Sequence, residues 1–426
     1  MNCIRAFRAV SLLVAAGVAW LTGGRAVADE AATLAATLEK EQVVVTVGGK
    51  LFTSYRFAPT LKKPYLWPVI GPRSGKSLTV ESVADNHPHH NSIWIGCDRV
   101  NGQNFWAPPD KLDNGQIRSL GPKLVRAEGK EVVFTDECLW QKPGAEPVIR
   151  DLRRIAVAAP SADLRLIDFD ITLQMLTDVS VQKTNHSLFS VRVVPELSVT
   201  SGGTLVNAEG QKGEKATFGV ASPWCDYFGT REGVTEGVAL FEHPGNRWFP
   251  CRWFTRDYGF MSPTPMYWPP DDKEHRFPKG EEVSLRYRVV VHAGDVAAAG
   301  IAGLFAQYAG DVGAARLNQA LGRLKRYEFG QSREPLLAVD GLVRESQRSP
   351  QLRETIEDRL AATLQTDATL DAKQFICEEL SKIGSERSVP VLAKLLTDEK
   401  LSNAARFALE RNPSPKADEA LRGALT

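Results

Sequence analysis

From about residue 40 to about residue 295 the chain reads as strand and turn without interruption. Residues 168–176, DFDITLQML, place Phe169, Ile171, Leu173 and Met175 on one face by strict alternation. Residues 282–292 do the same with Val283, Leu285, Tyr287, Val289 and Val291. A period of two is the mark of a half-buried antiparallel strand. Turn signals recur at short intervals: Gly48-Gly49, Asp113-Asn114-Gly115, Gly129, Ser201-Gly202-Gly203, Gly210 and Gly213. No helix-period run of ten or more residues separates them, so there are no crossover helices to build a parallel sheet. The expected fold is an all-β antiparallel sandwich of the large, two-sheet kind.

The pattern changes near residue 296. The segment AAAGIAGLFAQYA reads as a helix, and 310–335 as a mixed, partly helical linker. Helices then follow in pairs. Ser349 precedes Pro350 at a helix start, and Ile356, Leu360 and Leu364 follow at helical spacing. Phe375, Ile376, Leu380 and Ile383 mark the next helix. Residues 388–396 and 401–410 form a further pair, and 417–425 a last short helix after Asn412-Pro413-Ser414-Pro415.

The first residues carry a different message. Arg5 and Arg8 precede the apolar run 9–21, and Ala26-Val27-Ala28 forms a small-x-small cleavage site. Residues 1–28 are read as a signal peptide, which implies export to the periplasm or beyond. No later segment is long and apolar enough to span a bilayer. Five cysteines follow the cleavage site, an odd number without a CxxC, which favours buried free thiols over a disulfide framework. The net charge of +1 gives no reason to expect nucleic acid. The expected domains are 29–308 (β-sandwich), 309–331 (linker) and 332–426 (helical tail).

Three of the seven histidines stand within four positions, His87, His89 and His90, interrupted by Pro88. Imidazole exchanges protons near neutral pH and ligates transition metals. Pro88 imposes an extended or turn conformation; if extended, His87 and His89 share a side and His90 faces away. Trp94, Asp98, Asn104 and Trp106 follow closely, offering hydroxyl-binding groups and flat apolar faces. His186 lies near Arg192 and Glu196. The latter two read as an ion pair, or else Glu196 as a base with His186 as acid. A third cluster holds His243, Asn246, Trp253, Arg256, Asp257 and Tyr258, with loop chemistry as its plainer explanation.

The blocks ADNHPHHNSIWIGCDRVNGQNFW and VALFEHPGNRWFPCRWFTRDYGFMSP resemble the bacterial domain family labelled PmoA, over about residues 40–295. This chain has Asn91-Ser92 where that pattern commonly has Arg-Gly. The resemblance implies an exported β-sandwich with a setting in carbohydrate catabolism; methane oxidation does not follow from it. The closing strand VSLRYRVVVHAGD is similar to the last strands of galactose-mutarotase-like super-sandwiches, in which a His and a carboxylate exchange protons with a sugar on a concave sheet face. The last 40 or so residues resemble a HEAT-type repeat.

Three functional readings result. The first is a carbohydrate-active enzyme (epimerase, lyase or hydrolase) needing no cofactor. Its acid/base groups would come from His87, His89, His90, His186, Glu196 and Asp257. Trp94, Asp98, Asn104, Trp106, Arg192, His243, Asn246, Trp253, Arg256 and Tyr258 would bind the sugar. The second is a divalent-metal enzyme with His87, His89 and His186 as ligands. The third is a non-catalytic glycan-binding or scaffold module with the helical tail facing a protein partner. The two catalytic readings require histidines distant in sequence to meet in one cleft.

Overall fold

The computed structural model describes residues 32–83, 87–347 and 350–424. The segment read as a signal peptide, Ser349 and the Asp85-Asn86 pair lie outside the described residues.

Two nine-stranded antiparallel sheets face each other. The first runs in spatial order Trp253–Arg256, Phe260–Pro263, Ser187–Arg192, Ile93–Cys97, Tyr65–Val69, Lys50–Arg56, Gln42–Val47, Leu34–Leu38 and Glu128–Gly129. The second runs Thr204–Asn207, Trp224–Arg231, Val234–Glu242, Glu282–Ala293, Leu164–Met175, Ile149–Ser161, Glu131–Gln141 and Gln116–Ser119, with Lys123–Arg126 also beside Glu131–Gln141. Neighbours in sequence are mostly neighbours in space, as short hairpin connections require.

The alternation sets which faces meet. Phe169 pairs with Ile155 on one side and Tyr287 on the other, and all three are buried in the core between the sheets. The remaining members of the two alternating series, Ile171, Leu173, Met175, Val283, Leu285, Val289 and Val291, join them. Full burial of each such side chain contributes roughly 1.5–3 kcal/mol. A polar network crosses this core: Tyr55 donates to Asp136 across the sheets at 2.7 Å, and Arg153 pairs with Asp151 at 2.6 Å.

Val290 departs from simple alternation, since it is as buried as Val289 and Val291 on either side of it. The reason is the helix Ile301–Leu324 on the outer face of the second sheet. Its Ile301 and Tyr308 pack with Val206, Trp224, Ala239, Phe241 and Val290. A strand covered on both faces reads as a continuous apolar run.

That same helix continues through most of the stretch read as a linker. Its last turns, with Leu317, Leu321 and Leu324, enter a second apolar core. The other members come from Glu334–Ser346, Pro350–Leu364, Leu370–Ile383, Val389–Lys394, Ser402–Glu410 and Pro415–Gly423. Thr369 and Ser414 cap two of these helices through their side chains. The described residues therefore form one compact unit in which a 24-residue helix belongs to both cores. The five cysteines among the described residues are buried free thiols. No described helix is long and apolar enough to cross a membrane.

Candidate functional site

The outer face of the first sheet, away from the core, carries the candidate site. On Ile93–Cys97 the residues Ile93, Ile95 and Cys97 point into the core, so Trp94 and Gly96 point outward. Trp94 lies opposite Ser190 on one side and Tyr65 on the other. Arg192 lies opposite Phe260, which lies opposite Arg256. Trp94, Trp106, Phe254, Phe260 and Tyr65 form a separate apolar cluster on this face.

Upon it sits the histidine loop. The His90 amide donates to the His87 carbonyl at 3.0 Å, which makes His87–His90 a turn with Pro88 at its second position, a place that proline favours. The extended alternative, with His90 facing away, does not hold. All three rings cluster instead. His90 stacks on His87 at 4.5 Å and on Phe260 at 4.8 Å. It meets His89 edge-on at 4.6 Å. His87 in turn stacks on Tyr258 at 5.0 Å.

His186 joins the cluster from the start of the neighbouring strand. Its ring stacks on Trp106 at 5.4 Å and meets His89 edge-on at 6.2 Å. Nδ1 lies 2.9 Å from Oδ2 of Asp98. A carboxylate only accepts, so Nδ1 carries a proton, and in the neutral ring Nε2 is the atom that presents a lone pair. The other oxygen of Asp98 accepts from the Thr184 hydroxyl, whose oxygen also receives the His186 amide at 3.0 Å. The His186 side chain is 41% exposed and Asp98 13%. The dyad is thus rigidly held with its working edge open.

Lys63, which the sequence does not single out, lies beneath the loop. Its Nζ donates to the His89 carbonyl at 3.0 Å, to Asn91 Oδ1 at 3.0 Å and to the Trp106 carbonyl at 3.2 Å. Burial, with Lys62 adding to it, pulls its pKa down to about 7. Three acceptors, one for each ammonium proton, and the Trp94 ring 5.5 Å away nevertheless match the charged form. Gly96 makes this approach achievable: a Cβ there would stand 2.8 Å from the Phe105 carbonyl and 3.2 Å from Lys63 Cδ. Ser92, at the position where the PmoA-like pattern commonly has Gly, adopts a φ of 60° that favours glycine. Its hydroxyl bonds Thr79 at 2.7 Å.

Burial, followed by Lys63, pushes the His89 pKa down to about 3. Burial pushes His90 lower still and His87 in the same direction. These three rings are neutral at neutral pH. Among the described residues no group of three or more His, Cys, Asp or Glu side chains is disposed to hold a metal ion.

Of the residues singled out in the sequence, His87, His89, His90, His186, Asp98, Trp94, Trp106, Arg192 and Tyr258 come together here. Trp94 and Trp106 are buried walls at 2% and 0% exposure, so they are not open sugar platforms. Asn104 accepts from the Trp106 and Ala107 amides at 2.9 and 2.8 Å and shapes the loop.

The others lie elsewhere. Glu196 is exposed on the short turn Pro195–Leu197 and makes no ion pair with Arg192. Its carbonyl faces Gly229 of the second sheet. Asp257 accepts from the Glu214 amide at 2.7 Å, at the start of the short helix Glu214–Thr217. Arg256 pairs with Glu214 at 2.8 Å. Trp253 is in the sandwich core, its indole donating to the Ser222 carbonyl at 2.7 Å. His243 meets Tyr308 of the long helix edge-on at 5.5 Å, behind the second sheet. Asn246 pins its loop to the Arg286 backbone through its side-chain amide, donating to the carbonyl at 2.9 Å and accepting from the amide at 2.7 Å. His-Pro-Gly-Asn is loop chemistry, and the carboxylate partner within the histidine cluster is Asp98, bonded to His186.

Among solved structures the chain is similar to a heparinase III with methylated lysines, at 10% identity and a TM-score of 0.27. That match covers 61% of this chain and 34% of the heparinase, so the chain spans about a third of that protein's length. It is also similar to a galactose mutarotase related enzyme from Lactobacillus acidophilus, at 6% identity and a TM-score of 0.26, covering 60% of this chain and 96% of the other. TM-scores this low carry no argument about activity. No curated protein matches the sequence. A family profile does match, over residues 42–306, which take in every strand of the two sheets except Leu34–Leu38 and every residue of the histidine cluster. The chain therefore belongs to the family described as "Family of unknown function (DUF6807)".

Proposed function

We propose that this is an exported, carbohydrate-active enzyme whose acid/base group is His186, oriented by Asp98. The observation that carries the reading is the 2.9 Å contact between His186 Nδ1 and an Asp98 carboxylate that is itself held by Thr184. Such a dyad fixes one tautomer and one ring orientation. Nε2 is then placed to take a proton from a sugar hydroxyl or from carbon beside a sugar carbonyl. His89, neutral and 6.2 Å from His186 by ring centroids, lines the same opening with His87. His87 and Tyr258 offer half-buried ring faces against which a pyranose can lie. The PmoA-like blocks and the carbohydrate setting they imply support the substrate class. The segment 1–28 supports export to the periplasm or beyond.

The test is turnover of a sugar panel, including 3-keto-sugars, by the mature protein, followed by NMR. His186→Ala is expected to lower turnover on the order of 10²–10⁴-fold, the usual contribution of a general acid or base. Asp98→Asn should lower it as well, while Glu196→Gln, on an exposed turn outside the cluster, should not. Undiminished turnover in His186→Ala sinks the assignment. A glycan bound but never altered by the wild type would leave a binding module. Loss of turnover on chelation, with metal found by elemental analysis, would shift the role of His87, His89 and His186 to ligation.

A further inference from the structure

We propose that Arg192 is the anchor for a carboxylate on the substrate, so that the site takes an acidic sugar of the uronate type. The inference rests on the reading of this cluster as a sugar site and names the substrate class.

Arg192 is only 4% exposed, yet its Nε and Nη1 are buried without any hydrogen-bond partner. Among the described residues no carboxylate pairs with it. Arg256 provides the contrast. It stands in the same cross-strand row, on the far side of Phe260, and is paired with Glu214 at 2.8 Å. A buried guanidinium with unused donors is an expensive arrangement, since charge and N–H groups have left water without compensation. Buried polar groups in folded proteins are nearly always satisfied, and an exception marks a place where water, an ion or a ligand completes the set.

The surroundings state what that partner is. The guanidinium lies 4.3 Å from the Tyr258 ring, which stacks on His87 at 5.0 Å. These half-buried rings reach His186 through His89, whose ring lies 5.8 Å from His87 and 6.2 Å from His186. An anion at Arg192 would therefore share one cluster of rings with the dyad, linked to it through Tyr258, His87 and His89. Arginine presents paired N–H groups that match the two oxygens of a carboxylate. The charge count selects a monoanion. Lys63 is the other buried cation in contact with this ring cluster, and its donors are already taken by three protein oxygens. One unpaired cation balances one carboxylate, whereas a phosphate dianion would lack its second.

Isothermal titration calorimetry with D-glucuronate, D-glucose and D-glucose 6-phosphate tests this. The wild type is expected to bind glucuronate at least about tenfold more tightly than glucose, the range that hydrogen bonds to charged groups supply. Arg192→Gln should abolish that preference and Arg192→Lys should reduce it, with His186→Ala retaining it. Equal binding of glucose and glucuronate by the wild type overturns the proposal, without needing any variant to fold. A preference that survives in folded Arg192→Gln overturns it too, as does binding of none of the three. Tighter binding of the 6-phosphate than of glucuronate overturns the carboxylate assignment. A glucuronate preference that depends on Arg192, with turnover indifferent to His186, would uphold the anchor and reject the dyad as catalyst. Turnover lost in His186→Ala without any glucuronate preference would do the reverse.

Discussion

At the scale of single residues the site is a set of polar groups removed from water. His89 shows the consequence for pH. Its folded pKa is about 3 against 6.5 for a free histidine, because of burial first and Lys63 second, with His186 and His87 adding to them and Asp98 opposing. Between those values the unfolded chain binds a proton that the folded chain refuses. Stability therefore falls as pH drops from about 6.5 toward 3 and is unaffected by this group above that window. His87 and His90 act in the same direction. Thermal melts should show the wild type losing more between pH 7 and pH 4.5 than His89→Gln does. Equal losses would mean that His89 is not held neutral. The three histidines were legible in the sequence by density alone. Lys63 was not: it sits in an ordinary Lys-Lys-Pro run, and only the tertiary fold surrounds it with acceptors. Asp98 was legible as a polar group but not as the partner of His186, 88 positions away. Glu196, nearer in sequence, was the more natural choice, and a turn carries it away.

At the scale of elements, alternation and turn chemistry specify the strands well. The series from Phe169 to Met175 and from Val283 to Val291 face the core as their period requires. The helix Ile301–Leu324 was legible only in its first half, because Gly310 and Gly313 interrupt the helical pattern and each costs about 1 kcal/mol relative to alanine. Packing outweighs that cost. Ile301 is fully buried against the second sheet. Ile301→Ala is expected to destabilise the protein by about 2–5 kcal/mol, the usual cost of emptying such a position, as read from urea unfolding. A change below about 1 kcal/mol would mean that the helix is not needed to cover Phe241 and Val290.

At the scale of the whole molecule, that helix ties two apolar cores into one unit. Its continuity is the device: one end is in the sandwich, the other among the tail helices. Proline inside a helix removes a hydrogen bond and clashes with the preceding turn, at about 3 kcal/mol. Calorimetry of the wild type should therefore give one unfolding transition, and Gly310→Pro should separate it into two. Two transitions in the wild type would show that the cores are independent. The local pattern alone determined the two-sheet antiparallel architecture, the change to helices after about residue 296 and the presence of a histidine-rich turn. Those properties depend on side-chain period and turn residues, which are read within ten or so positions. Which polar groups meet was decided only by tertiary structure. Strand order places Ile93–Cys97 beside Ser187–Arg192, bringing Asp98 to His186 and leaving Arg192 without a carboxylate among the described residues. Pairing across 90 residues is set by how whole sheets bury their apolar faces, and no local pattern encodes it.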